Sequence, residues 1–191
     1  MDDIRDLLAL HQRALDEFAR RVHAVKPDQW HCSTPCAEWE VRHLVNHLVV
    51  EQLWVPPLLA GQTIAEVGDA FAGDRLGDDP VGAWDRAAAA ARAAFAADDA
   101  LARTVHLSYG DRPALEYLQE MIFDLVVHAW DLARGIDGDE HLPEDLVDAV
   151  YSRVDPDAGA LTASGLFAEP VAVDESADEQ ARLIALTGRR P

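Results

Sequence analysis

The run Met121-Ile-Phe-Asp124-Leu-Val-Val-His128-Ala-Trp130-Asp131-Leu-Ala-Arg134 constrains this chain more than any other stretch. Apolar residues at Leu118, Met121, Ile122, Leu125, Ala129 and Leu132 recur at the i, i+3, i+4 spacing of one helical face. Asp124 and His128 are set among them four residues apart, so the two side chains stack one turn above the other. A carboxylate and an imidazole in that relation can hold one side of a divalent metal ion. They can equally satisfy each other by a hydrogen bond, so a third ligand from elsewhere in the chain decides between the two.

Composition narrows the setting of that helix. Sixteen Lys and Arg against 35 Asp and Glu give a formal net charge of −19, a surface that repels phosphate backbones and anionic lipid. Neither a nucleic acid nor a membrane is therefore expected as a partner. An apolar fraction of 49% over 191 residues is enough for one folded domain despite the charge. Arg86 and Arg92 interrupt the alanine-rich segment before it reaches the length of a membrane span. The acidic start, Met1-Asp2-Asp3-Ile4-Arg5, is unlike a signal peptide, which predicts a cytoplasmic protein. Cys32 and Cys36 alone imply no disulfide framework.

The remaining segments predict a helical bundle. Ile4, Leu7, Leu8, His11, Leu15, Phe18, Val22 and Val25 form one stripe of a helix over 2–25, stopped by Lys26-Pro27. Trp30 to Trp39 reads as a loop, and a second helix over 40–58 follows, to be ended or kinked by Pro56-Pro57. Residues 61–80, rich in Gly and Asp, predict a long loop or lid. A third helix is expected over 81–98. The stretch Arg103–Gly110 is expected to be a short extended link or small hairpin. The fourth long helix should run from Pro113 to Arg134, with Gly135 as its stop, and shorter helical segments fit 144–154 and 176–187. Long amphipathic helices without repeats predict an all-α, up-and-down four-helix bundle, with the second and fourth long helices adjacent.

Bundles assemble metal sites from side chains projecting inward on facing helices. The helix over 40–58 offers His43, His47 and Glu51 at i, i+4, i+8, while that over 113–134 offers Glu120, Asp124, His128 and Asp131. Three protein ligands would leave open positions for water or substrate, as in a catalytic rather than a structural site. Spacing alone allows either His43 or His47 as the third ligand. Asp131 and Glu120 are candidates to accept hydrogen bonds from a ligand imidazole, or solvated charges. Cys36, just before a helix, is a possible thiol nucleophile or a packing residue beside Trp39; Trp54 and Trp130 are expected to line the core or a pocket. The chain carries no phosphate-binding loop, nucleophile elbow or dinucleotide fingerprint.

Thr34-Pro35-Cys36-Ala-Glu-Trp39, continued by Val41-Arg-His-Leu-Val-Asn46-His47, resembles the opening of the mycothiol-dependent maleylpyruvate isomerase metal-binding domain, of the DinB/YfiT-like superfamily of four-helix bundles. Val126-Val-His128-Ala-Trp130-Asp131-Leu-Ala133 is similar to its second hallmark. Gly165-Leu-Phe and Leu183-Ile-Ala-Leu-Thr-Gly188-Arg189 resemble the ends of its shorter, single-domain members. The resemblance implies one DinB-like domain over 1–191, and a divalent metal, usually zinc, held by His47, Asp124 and His128. It implies mycothiol or a related small thiol as co-substrate, acting on a small electrophile. Asp124 stands where the isomerase usually carries Glu. The full isomerase has a further C-terminal domain for which this chain has no room, so a related thiol transferase or isomerase, monomeric or homodimeric, is expected rather than maleylpyruvate isomerisation itself. A metal-dependent hydrolase and a non-enzymatic metal or ligand sensor are the alternatives.

Overall fold

The computed structural model describes residues 2–154 and 167–191; Gly165 and Leu166 of the Gly165-Leu-Phe motif lie outside them. Helices α1 (Asp2–Ala24), α2 (Val41–Leu59), α4 (Pro80–Phe95) and α5 (Ala114–Gly135) are the long ones. A one-turn helix α3 (Ile64–Val67) and a hairpin of β1 (Thr104–Leu107) and β2 (Gly110–Pro113) lie in the connections. Helices α6 (Glu144–Val154) and α7 (Glu179–Leu186) follow. The fold is mostly helical, but the antiparallel hairpin makes the all-α expectation approximate.

The chain divides into two compact units, residues 1–139 and 140–191. In the first, α1 packs on α4 and α5, and α2 packs on the same two, so the ring order is α1–α4–α2–α5. α2 and α5 are therefore neighbours, as the stripes predicted. The apolar faces meet in a core that includes Phe18, Trp84, Leu44, Leu48, Phe95, Leu118 and Leu125, all almost wholly buried, with the Phe18 and Trp84 rings 4.6 Å apart. In the second unit, α6 packs on α7, and Gln180 ties the start of the unit to α7: its Nε2 donates to the Glu140 carbonyl (3.0 Å) and its Oε1 accepts from the Leu142 amide (2.8 Å).

The helix directions differ from a simple up-and-down order. Arg21, near the end of α1, donates to the carbonyl of Asp139 just past α5, so these two helices run the same way. A Cβ on Gly135, at the end of α5, would sit 3.2 Å from Val41 at the start of α2, so those two run oppositely. Arg42 at the start of α2 reaches Gly77 just before α4, so α2 and α4 are parallel. The order is up, down, down, up. Its cause is the connection over 60–79, which carries the chain back along the bundle before α4 begins.

That connection is not a free lid. Thr63 and Glu66 form a capping box around α3. Asn46 holds the segment from both sides of its amide, donating to the Gly73 carbonyl (3.1 Å) and accepting from the Arg75 amide (2.7 Å). Arg42 pairs with Asp74 at 2.6 Å, Phe71 meets Trp54 edge to face, and Leu76 is buried. Two further expectations are corrected. α2 continues through Pro56 and Pro57 to Leu59, because prolines in a final turn forfeit only their own amide bonds, and the carbonyls of both still accept from Ala60 and Gln62. Gly135 is the last residue of α5 but not a left-handed cap; the left-handed turn comes at Asp137, with a φ of 53°, and the Gly138 amide returns to the Ala133 carbonyl at 2.8 Å.

Candidate metal centre

The site is assembled where the loop before α2 folds over the end of α5. Thr34 is the pin of that loop: its amide and hydroxyl both donate to the Trp39 carbonyl, at 3.0 and 2.9 Å, and the hydroxyl accepts from the Cys36 amide at 3.2 Å. Gly135 allows the approach. A Cβ there would meet Thr34 Cγ2 at 3.1 Å, Val41 Cγ2 at 3.2 Å and the Ser33 carbonyl at 3.4 Å. With that contact made, Trp39 lies over the facing side chains of α2 and α5, and Cys36 reaches α5 itself.

His47 from α2 and Asp124 and His128 from α5 bring one donor atom each to within 4.8 Å of one another. His47 Nε2 is 3.3 Å from Asp124 Oδ2, and His128 Nε2 is 3.3 Å from Asp124 Oδ1. The imidazole centroids are 5.3 Å apart and nearly perpendicular, and Trp39 packs against both, at 5.0 Å from His47 and 6.0 Å from His128. Two donors each about 2.1 Å from a tetrahedral zinc stand roughly 3.4 Å apart, close to each of these two nitrogen–oxygen separations, which involve the two oxygens of one carboxylate. Asp124 thus meets both rings although it is one methylene shorter than Glu.

Hydrogen bonding on the far side of His128 bears on what the near side can hold. His128 Nδ1 lies 2.9 Å from Asp131 Oδ2, and a fully buried carboxylate there can only accept, so Nδ1 carries the hydrogen. In the neutral ring Nε2 then presents a lone pair to the Asp124 carboxylate. Asp124 Oδ2 is buried and lies outside hydrogen-bond geometry, an orphaned acceptor beside two inward-facing nitrogens. Such a cluster is stable only with positive charge at its centre, supplied by imidazolium protons or by a cation. Without a cation, burial would lower the His128 pKa, but the Asp124 charge and the hydrogen bonds to Asp124, Asp131 and Cys36 outweigh it and raise it well above the usual value. Burial would likewise raise Asp124, yet the His128 charge and the two imidazoles hold it far below the usual carboxylate range. Two nitrogens and one carboxylate, its oxygens each 3.3 Å from one of them, fit a zinc-type ion, with Asp131 in the orienting place that a metal-binding His ordinarily requires.

The other sequence candidates separate clearly. His43 is exposed and is absent from the donor groups among the described residues. Glu51 lies 4.0 Å from His47 Nδ1; burial and then the Asp124 charge raise its pKa. Glu120 accepts a short hydrogen bond from the Tyr109 hydroxyl in the hairpin turn. Cys36 donates from Sγ to Asp131 Oδ2 at 3.1 Å and lies 3.7 Å from His128 Nδ1, so Cys36, His128 and Asp131 form a second close group. Cys32 is a free, half-buried thiol, Trp130 is core under the Arg134 guanidinium at 4.3 Å, and Trp54 meets Phe71 of the connection edge to face. Sequence reasoning did not find Tyr117, whose buried hydroxyl has no hydrogen-bond partner; its place one turn below Glu120 on the same face was the available signal.

The chain is 35% identical over 128 residues to an uncharacterized protein of Mycobacterium tuberculosis, present in strains CDC 1551 / Oshkosh and H37Rv; the match covers 67% of this chain and 66%, just under two thirds, of each relative's length. The crystal structure of the mycothiol-dependent maleylpyruvate isomerase superposes with a TM-score of 0.65 at 18% identity, over 90% of this chain and 76% of that one. That of a histidine-to-alanine mutant of the isomerase gives 0.62 at 16%, over 79% and 69%. At those identities the likeness is one of fold. Residues 11–133 match the sequence profile of the mycothiol maleylpyruvate isomerase N-terminal domain, and the chain belongs to that family.

Proposed function

We propose that this chain, a single DinB-like domain in this reading, is a divalent-metal enzyme, zinc being the best fit, that uses a small thiol of the mycothiol type to transfer to, or isomerise, an electrophilic substrate. The observation that carries the reading is the convergence of two imidazole nitrogens on one carboxylate at 3.3 Å, with the outer nitrogen of His128 tied to buried Asp131. His47, Asp124 and His128 would hold the ion. When bound, it would supply Lewis acidity that keeps a thiol as its thiolate near neutral pH, and a soft sulfur suits zinc better than it suits magnesium or calcium.

The chain's own residues do the rest. Asp131 keeps the hydrogen of His128 on Nδ1, so Nε2 stays turned toward Asp124. Cys36, bonded to the same Asp131 oxygen as His128, fixes the carboxylate's orientation rather than serving as the nucleophile. The Trp39 ring covers both imidazoles and keeps water from that side. Glu51, one turn along α2 from His47, is a further carboxylate at the site, 4.0 Å from His47 Nδ1.

Calorimetry in buffers of different ionisation enthalpy tests this. A simple thiol such as mercaptoethanol should bind the zinc-loaded protein, release about one proton per site near neutral pH, and not bind the metal-free protein. Equal binding without metal, or binding with no proton released, overturns the thiol reading and favours a hydrolase or a sensor on the same donor set.

A further inference from the structure

The Nε2 edge of the His128 ring faces Asp124, and its Nδ1 edge faces a different set of donors. Cys36 Sγ is 3.1 Å from Asp131 Oδ2, His128 Nδ1 is 2.9 Å from the same oxygen, and sulfur and nitrogen are 3.7 Å apart. Both hydrogens of this triangle, the thiol's and the imidazole's, therefore point at one oxygen. A thiol is a weak hydrogen-bond donor, so orienting Asp131 does not by itself call for sulfur here. Thiolate, imidazole and carboxylate are, by contrast, the donors that a soft divalent ion takes. An ion about 2.0 Å from nitrogen and oxygen and about 2.3 Å from sulfur holds those donors roughly 3.3 to 3.5 Å apart, so shifts of under about half an ångström would admit one. His128 and Asp131 are buried and Cys36 is half-buried, so an arriving ion meets the thiol first.

We propose that Cys36, His128 Nδ1 and Asp131 form a second metal site, for divalent ions softer than zinc, that competes with the His47–Asp124–His128 centre for one imidazole. The protons balance as follows. Cys36 gives up its Sγ hydrogen and His128 its Nδ1 hydrogen, so two hydrogens leave the triangle as one divalent ion enters and its charge is unchanged. A neutral imidazole with a metal on Nδ1 carries its remaining hydrogen on Nε2. There it faces Asp124 Oδ1 at 3.3 Å and has no lone pair for another ion. The two sites are thus alternatives, and each soft ion that enters the zinc form expels one zinc ion and one proton. The donor set stands without the thiol reading above; the competition rests on zinc being held as proposed there.

The test adds one equivalent of cadmium to the zinc-loaded protein. Ultraviolet absorption reports a sulfur-to-cadmium charge-transfer band, and metal analysis after gel filtration reports what stays bound. The band should appear while one zinc leaves for each cadmium taken up. Cys36→Ser should lose the band and keep its zinc, and Cys32→Ser should behave as the unsubstituted protein. His47→Ala, deprived of a zinc ligand, should still take one cadmium with the full band, which keeps the test decisive should Cys36→Ser fold poorly. A band that survives Cys36→Ser, cadmium that replaces zinc without a band, or cadmium and zinc held together in one chain overturns the proposal. Should the protein hold no zinc at all, the zinc reading of His47 and Asp124 falls, while a band lost with Cys36→Ser still supports the second site.

Discussion

Two histidines of this protein are almost equally buried and chemically opposite. His11 on α1 is 1% exposed and His128 on α5 is 6% exposed. His11 packs edge-on against Phe95 with ring centroids 5.0 Å apart, and its Nε2 has no partner. Burial, aided by the Arg92 charge, pushes its pKa down to about 4. His128 meets Asp124 on one side and Asp131 on the other, and is pushed well up. Burial alone does not mark a functional histidine. What distinguishes the two is whether carboxylates accompany the ring into the interior and leave a charge there to be balanced.

The contrast can be broken most forcefully at its charged pole. His128→Ala should lose stoichiometric zinc, as should His47→Ala and Asp124→Ala, each weakening affinity by more than the roughly 100-fold that loss of an orienting contact costs. His43→Ala should retain it; metal analysis after dialysis decides, and zinc lost with His43→Ala but kept with His47→Ala would reassign the site.

At the neutral pole the effect is one of stability. Because the folded pKa of His11 lies below the unfolded value of 6.5, the unfolded chain binds more protons between those values, and stability falls as pH is lowered from about 6.5 to about 4. The shift corresponds to about 3 kcal/mol when complete. Denaturant melts across that window should show the loss, and His11→Leu should flatten it. An unchanged slope in His11→Leu would mean that the ring is not the source.

Smaller effects test the link between Asp131 and the ligand imidazole. Asp131→Asn keeps the shape but offers a weaker acceptor and should cost about 10- to 100-fold in zinc affinity. Cys36→Ala acts one bond further out and should cost only a few-fold, about 1 kcal/mol, with Cys36→Ser recovering most of it. A larger loss from Cys36→Ala than from Asp131→Asn would make the sulfur itself a ligand.

How much of this was readable beforehand follows from where the information lies. The long helices and the α2–α5 pairing were legible because a 3.6-residue period is local, and the stacking of Asp124 on His128 and of His43, His47 and Glu51 on one another was legible because i, i+4 is local too. Choosing His47 over His43 as the proposed ligand drew on the family likeness, since both share one stripe. The direction of α4 was not legible: it depends on Asn46 and Arg42 gripping a segment some 30 residues away. The Cys36–Asp131 contact joins residues 95 apart in sequence, and no spacing rule announces it. The hairpin was half-legible, because alternation over Arg103–Gly110 suggested extended chain, but only the Leu107–Gly110 pairing fixed its register.

Gly135 carries a consequence for how this protein tolerates change. Its α-carbon faces the Ser33 carbonyl and the Thr34 and Val41 methyls so closely that even a methyl group would press on three atoms at 3.1 to 3.4 Å. Thr34 anchors the segment that delivers both Trp39 and Cys36. In a saturation-mutagenesis map, position 135 would read as intolerant although no chemistry belongs to it, and its variants should be recognised by a shared signature: a folded bundle with a loosened indole, seen as a shift in tryptophan emission, and weaker metal retention.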